Sequence, residues 1–214
     1  MQCCFQEEGA ELHLVGRSSD RLAEVQKDAQ AFGDAGVHII EGDLEDNKTV
    51  DSIANKVKGK VNILVNNAGM LDKEPILEGN PDRWEKVVRL DLLVSMRLTR
   101  LIGPEMAKRG HGNIINISSV AGLEPMKGFA VYCATKFGLT GFTLSAFEEL
   151  RDMGIHVTGI FPGYVATAMT TEAKVPQEKM IQPEDIAEAA MLPFRLSDRA
   201  VPTQIVVRPS QKVE

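Results

Sequence analysis

Apolar residues in this chain come in short blocks with two alternating spacings. Residues 11–16 (ELHLVG), 37–44 (VHIIEGDL) and 61–69 (VNILVNNAG) are continuous aliphatic and β-branched runs that stop at Gly, Asp or Asn. Residues 112–119 (GNIINISS), 154–163 (GIHVTGIFPG) and 203–209 (TQIVVRP) repeat the pattern and stop at Ser, Gly or Pro. Each reads as a strand. Between them the apolar positions recur at helical spacing, as at Leu22, Val25 and Ala29, then Val50, Ile53 and Val57. Ser18 or Ser19 is set to cap the first of these helices. Asn80-Pro81-Asp82 opens a helix that runs to about residue 109, with an irregularity allowed at Gly103-Pro104. Further helices are predicted over about 130–152 and over 183–196. Residues 3–10 (CCFQEEGA) read as the last turns of a helix stopped at Gly9.

Apolar strands alternating with helices predict an α/β fold: a doubly wound parallel sheet, Rossmann-like, with helices on both faces in three layers. The 214 residues form one domain, 1–214, with no repeat or linker. In such sheets a ligand lies beyond the carboxyl ends of the strands. Those ends carry Gly16-Arg17-Ser18, Asp43-Leu44, Asn66-Asn67-Ala68-Gly69, Ser118-Ser119 and Pro162-Gly163. Small, polar and backbone-permissive residues at one edge suit a nucleotide cleft.

Composition removes several alternatives. A net charge of −6 gives no reason to expect nucleic acid or an anionic membrane surface. Arg97, Arg100, Lys108 and Arg109 are spread along a helical pattern and read as a solvated face. No apolar run approaches the ~20 residues of a membrane span, and no signal peptide is visible. Three cysteines without regular spacing (Cys3, Cys4 and Cys133) suit a reducing compartment, so a cytoplasmic location is expected. No Cys or His grouping has metal-ligand spacing, and no metal is expected.

Tyr132 and Lys136 stand one helical turn apart on one face. A free phenol, with a pKa near 10, is a poor acid or base at neutral pH. A neighbouring ammonium favours the phenolate, so Lys136 is expected to lower the Tyr132 pKa. Ser119, thirteen residues ahead of Tyr132, can hydrogen-bond a substrate oxygen.

The combination of NNAG (66–69), ISS (117–119), YCATK (132–136) and PGYVATAM (162–169) resembles the short-chain dehydrogenase/reductase family over nearly the whole chain. Within it the chain is most similar to the 3-oxoacyl-carrier-protein-reductase-like and short-chain carbonyl reductase branch. The resemblance implies an oxidoreductase that interconverts a small carbonyl compound and its alcohol. Tyr132 would be the acid/base, Lys136 would tune it and hold the nicotinamide ribose, and Ser119 would orient the carbonyl. Asn67, Ala68 and Gly69 would line the adenosine side, with Asp43 and Leu44 at the adenine. Pro162, Gly163, Val165 and Thr167 would meet the nicotinamide end. Arg17, followed by Ser18, stands where a base suits the 2′-phosphate of NADP(H). Family members pair through the helices at 81–109 and 130–152, so a homo-oligomer is implied. The loop after Thr167 (MTTEAKVPQEKM) would cover the substrate.

Two departures stand out. The family places an Asn in the helix after NNAG, where it helps hold a helix irregularity and a water path to the lysine. This chain has Asp91 there, which could hold a water or pair with Lys136. The family also opens with a strand and a T-G-x3-G-x-G turn, and neither occurs in these 214 residues. That strand would lie between those at 11–16 and 61–67. Its absence leads one to expect a chain that is poorly folded, re-paired or completed by another segment. The alternatives to an active reductase are therefore a non-catalytic relative that dimerises as an interaction module, and an inactive fragment.

Overall fold

A computed structural model describes residues 1–171, 175–197 and 199–211. It contains β1 (Leu12–Gly16), β2 (Val37–Glu41), β3 (Ile63–Asn66), β4 (Gly112–Ile117), β5 (Ile155–Pro162) and β6 (Gln204–Val207). The helices are α1 (Gln2–Glu7), α2 (Ser19–Gln30), α3 (Asn47–Lys56), α4 (Pro81–Val88), α5 (Val94–Arg109), α6 (Ala130–Leu150) and α7 (Pro183–Arg195). Local chemistry sets several boundaries. Gly9, at φ +77°, ends α1 in the left-handed region, with its N–H on Gln6 O. Ser18 caps α2 by accepting from Arg21 N–H, and Asp46 caps α3 by accepting from Thr49 N–H. Asp43 and Leu44, read as the end of a strand, lie in the turn between β2 and α3 instead. There the Asp43 carboxylate accepts from Glu45 N–H, a local bond that competes with the ladder.

Every ladder is parallel, but the strands divide into two sheets. One pairs β1 with β2; the other runs β3-β4-β5-β6. On one side, α3, α5 and α6 bury Ile53, Ile102 and Ala146 against Leu64, Ile114 and Val157. On the other, α1 and α7 bury Phe5, Ile186 and Met191 against Ile115 and Ile160. These interlocking apolar layers span both sheets and hold them in one body. β1 and β3 do not re-pair with each other; a cleft of about 780 Å³ stands between them.

The helix predicted from 80 to 109 is interrupted, but not at Gly103-Pro104. The interruption is a π turn over Arg89–Leu93, where Val94 N–H reaches back to Arg89 O. Pro104 sits inside a continuous α5. The hydrogen bond it forgoes falls at Arg100, an exposed residue whose carbonyl water can serve.

Candidate active site

The π turn matters because it inserts one residue into the helix and turns Asp91 inward, where it is 1% exposed. Asp91 then touches two elements, the turn after β3 and helix α6. Its Oδ1 accepts from Met70 N–H at 2.7 Å, just past the NNAG turn. Its Oδ2 lies 3.1 Å from Lys136 Nζ on α6. A Cβ on Gly69 would come within 3.1 Å of the same oxygen, so the glycine lets that turn close on the carboxylate. Burial pushes the Asp91 carboxyl above the usual carboxylate range. The Lys136 ammonium and the Met70 N–H pull it back only in part.

Lys136 is itself 4% exposed and donates to Ile117 O at 3.3 Å. Its ammonium stands 5.5 Å from the centre of the Tyr132 ring. Tyr132 is 8% exposed, with the Ser119 hydroxyl against its phenol. These three side chains and Asp91 therefore converge at the carboxyl end of β4. Lys136 does favour the Tyr132 phenolate, as expected, but it does not set the net direction of the shift. Burial dominates and pushes the phenol above its ordinary value, and the Asp91 carboxylate adds to that rise. The Lys136 ammonium and the Ser119 hydroxyl oppose it without overcoming it. An ammonium with a carboxylate at 3.1 Å projects much of its field into that partner.

Several supports were not read from the sequence. Ser119 accepts from Ala121 N–H, which fixes the turn after β4. Gly122 in that turn abuts α6 so closely that a Cβ would lie 2.7 Å from Lys136 O. Thr140 donates across the same seam to Gly122 O. Deeper in, Asn66 Nδ2 donates to Asn116 Oδ1, and Asn116 Nδ2 donates to Thr143 Oγ1. This buried network ties β3, β4 and α6 together beneath the site. The available signal was Asn116, a polar residue set between Ile115 and Ile117 in β4.

The remaining site residues fall along the same edge in two groups. Pro162, Gly163, Val165 and Thr167 follow β5. Gly163 N–H donates to Val207 O, and Val165 bridges to Ile181, which anchors this segment over the sheet. Asn67, Ala68 and Gly69 follow β3. Arg17, Ser18, Asp43 and Leu44 belong to the β1–β2 sheet. The Arg17 side chain is 68% exposed, with Nη1 3.5 Å from Glu45 Oε1. Of the loop expected over the substrate, residues 172–174 lie outside the described residues. Among the described residues, no group of His, Cys, Asp and Glu is arranged to hold a metal, and no helix is long and apolar enough to cross a membrane.

A parallel, doubly covered α/β body with small and polar residues past its strand ends, and a buried Tyr132–Lys136 pair beside Ser119, fits a dinucleotide-dependent class of protein. Comparison gives the family. The short chain dehydrogenase profile matches residues 3–178, and the chain belongs to that family. It is 32% identical over 205 residues to an uncharacterized oxidoreductase of Staphylococcus saprophyticus, covering 94% of this chain and 88% of that one. Among solved structures it is similar to a metagenomic short-chain oxidoreductase in complex with NADP. That likeness has 30% identity and a TM-score of 0.84, covering 97% of this chain and 89% of the other. It is also similar to a short-chain dehydrogenase from Sphingobium yanoikuyae in complex with NADPH, at 25% identity and TM-score 0.84, covering 97% and 81%.

Proposed function

We infer that this chain is an NADP(H)-dependent oxidoreductase interconverting a ketone, aldehyde or 3-oxoacyl carbonyl and the corresponding alcohol. The observation that carries the reading is the buried Tyr132, with the Ser119 hydroxyl and the Lys136 ammonium beside it at the strand edge. The relatives solved with NADP and NADPH support the cofactor. So does an exposed Arg17 at the end of β1, placed to meet a 2′-phosphate. Lys136 would hold the nicotinamide ribose, with Pro162, Gly163, Val165 and Thr167 around the ring. Asn67, Ala68, Gly69, Asp43 and Leu44 would line the adenosine half.

A nicotinamide held there would supply or accept the hydride. Ser119 donates a hydrogen bond to the carbonyl oxygen and orients it. Tyr132, kept protonated at neutral pH by burial, gives its proton to that oxygen as the alcohol forms. In the reverse direction the Tyr132 phenolate takes the proton back. Asp91 holds Lys136 in place through the 3.1 Å ion pair, so it acts as a positioning residue.

The pairing surface follows the same logic. Leu93, Met96 and Phe137 are exposed apolar side chains on the π turn, α5 and α6, and they suit a homo-oligomer formed through the 81–109 and 130–152 helices. Cys3, Cys4 and Cys133 are all free, which fits a reducing, cytoplasm-like compartment.

The test is NADPH consumption with a panel of ketones, aldehydes and 3-oxoacyl thioesters, beside an NADPH fluorescence titration. Tyr132→Phe is expected to cut turnover by about 10²–10⁴-fold while leaving NADPH affinity intact. One observation favours a second reading, a non-catalytic dimerising relative: Asp91 stands where the family has Asn and pairs with Lys136. Dimerisation without NADPH binding would establish that reading and overturn the first.

A further inference from the structure

Asp43, Glu45 and Asp46 crowd the turn between β2 and α3, and two of these acids hold that turn together. The Asp43 carboxylate accepts from Glu45 N–H at 2.9 Å. The Asp46 carboxylate caps α3 and accepts from both Thr49 N–H and the Thr49 hydroxyl. Asp46 N–H closes the turn on Asp43 O. The Glu45 carboxylate takes no part in this. Among the described residues its one partner is Arg17, just past the end of β1, with Nη1 3.5 Å from Oε1.

The two members of the pair are unequal. The Glu45 side chain is 25% exposed and rises from a locked turn, whereas the Arg17 side chain is 68% exposed. The carboxylate is the fixed member and the guanidinium the mobile one. Their separation exceeds the ~2.7–2.9 Å of a strong charge-assisted bond, so the guanidinium can exchange Glu45 for a better acceptor. A phosphate is such an acceptor, and Arg17 also stands beside the N-terminus of α2, which favours an anion. Glu45 works against it. A 2′-phosphate on Arg17 must draw the guanidinium away and then lie near a carboxylate left uncompensated, and like charges repel. A 2′-hydroxyl makes neither demand and leaves the ion pair intact.

We propose that Glu45 is a specificity-determining residue for the nucleotide: its carboxylate competes with a 2′-phosphate for Arg17 and so holds down the preference for NADPH over NADH. The inference rests on the reading above in which Arg17 meets the 2′-phosphate. It adds that the selectivity of the β1–β2 sheet is set by an opposed pair, one residue from each strand end, rather than by the arginine alone.

The test is a fluorescence titration of the whole chain with NADPH and with NADH, on wild type, Glu45→Gln, Arg17→Ala and the double variant. Glu45→Gln keeps the side chain's shape and removes its charge. It should tighten NADPH by up to about fivefold, the range of one exposed charge pair, and leave NADH within about twofold. NADH binding thereby serves as the check on folding. The gain should shrink as salt rises. In the Arg17→Ala background the same substitution should gain nothing, because the competition has lost its object. A gain that persists there overturns the proposal, since Glu45 would then repel the phosphate directly. An NADPH-to-NADH ratio unchanged by Glu45→Gln in a chain that binds NADPH overturns this inference alone. A wild-type chain that binds neither nucleotide overturns the NADP(H) reading itself, and this inference falls with it.

Discussion

The β3–β6 sheet and the β1–β2 sheet are both parallel, both covered by helices, and built to different standards of closure. In the first, each neighbouring pair of strands is laddered, and a buried Asn66–Asn116–Thr143 network ties sheet to helix. In the second, two five-residue strands are followed by Arg17 and Asp43 and face the other sheet across the cleft with no ladder between them. The proposed acid/base cluster lies wholly on the closed half. The residues for the adenosine end are shared with the open half. Under the proposed function, proton chemistry would be preorganised within the closed half, while cofactor grip would depend on how the two sheets are held together.

The largest expected effect comes from breaking the closed half at its buried charge. Asp91→Ala removes the acceptor for Met70 N–H and strands a buried ammonium. Losing one partner of a buried pair costs about 3–5 kcal/mol. Urea unfolding should show the loss; an unchanged midpoint would mean that Asp91 is not the anchor of Lys136. Asp91→Asn asks a finer question. The amide keeps an oxygen for Met70 N–H but removes an anion that raises the Tyr132 pKa. The Tyr132 pKa should therefore fall. Phenolate absorbance should develop at lower pH, and the alkaline limb of alcohol oxidation should move the same way. A limb that stays still or moves up would show that the carboxylate does not act on the phenol.

Gly122→Ala probes the seam between the turn carrying Ser119 and helix α6. The added methyl meets Lys136 O, a backbone atom that cannot swing aside. Overpacking of this kind costs about 1–3 kcal/mol. Because the displaced elements bear Ser119 and Lys136, kcat should drop more than the KM for NADPH rises. An equal effect on both would place the damage in global folding instead.

The contrast between the halves also explains what was legible in the sequence. The succession of strands and helices and the Ser18 cap are local or periodic features, and they stand where the pattern puts them. The π turn is different. Nothing in WEKVVRLDLL breaks helical periodicity, and the extra residue shows only when a buried Asp91 needs a partner on another helix. The sign of the Tyr132 shift was likewise out of reach. Spacing reveals the ammonium, but burial and the Asp91 carboxylate outweigh it, and both depend on tertiary packing. The gap between β1 and β3 was implied by the family resemblance alone, whereas the helix layers that span it are seen only in the packing. Asp43 and Leu44 were misread because an Asp side chain that bonds its own backbone looks like a strand end in a one-dimensional pattern.

The smallest effect tests the open half directly. Arg17 is largely solvent-exposed, and its contact with Glu45 is long, so the protein loses little stability without it. Its proposed value lies in a charge-assisted bond to a 2′-phosphate, which solvent weakens. Arg17→Ala should therefore lower NADPH affinity by no more than about tenfold, near 1.4 kcal/mol, and leave NADH affinity unchanged. The loss should shrink as salt rises, since an exposed charge pair is screened. Equal losses for NADPH and NADH would mean that Arg17 supports the β1–β2 sheet rather than reading the phosphate. The open half would then contribute shape to the cofactor site and no selectivity.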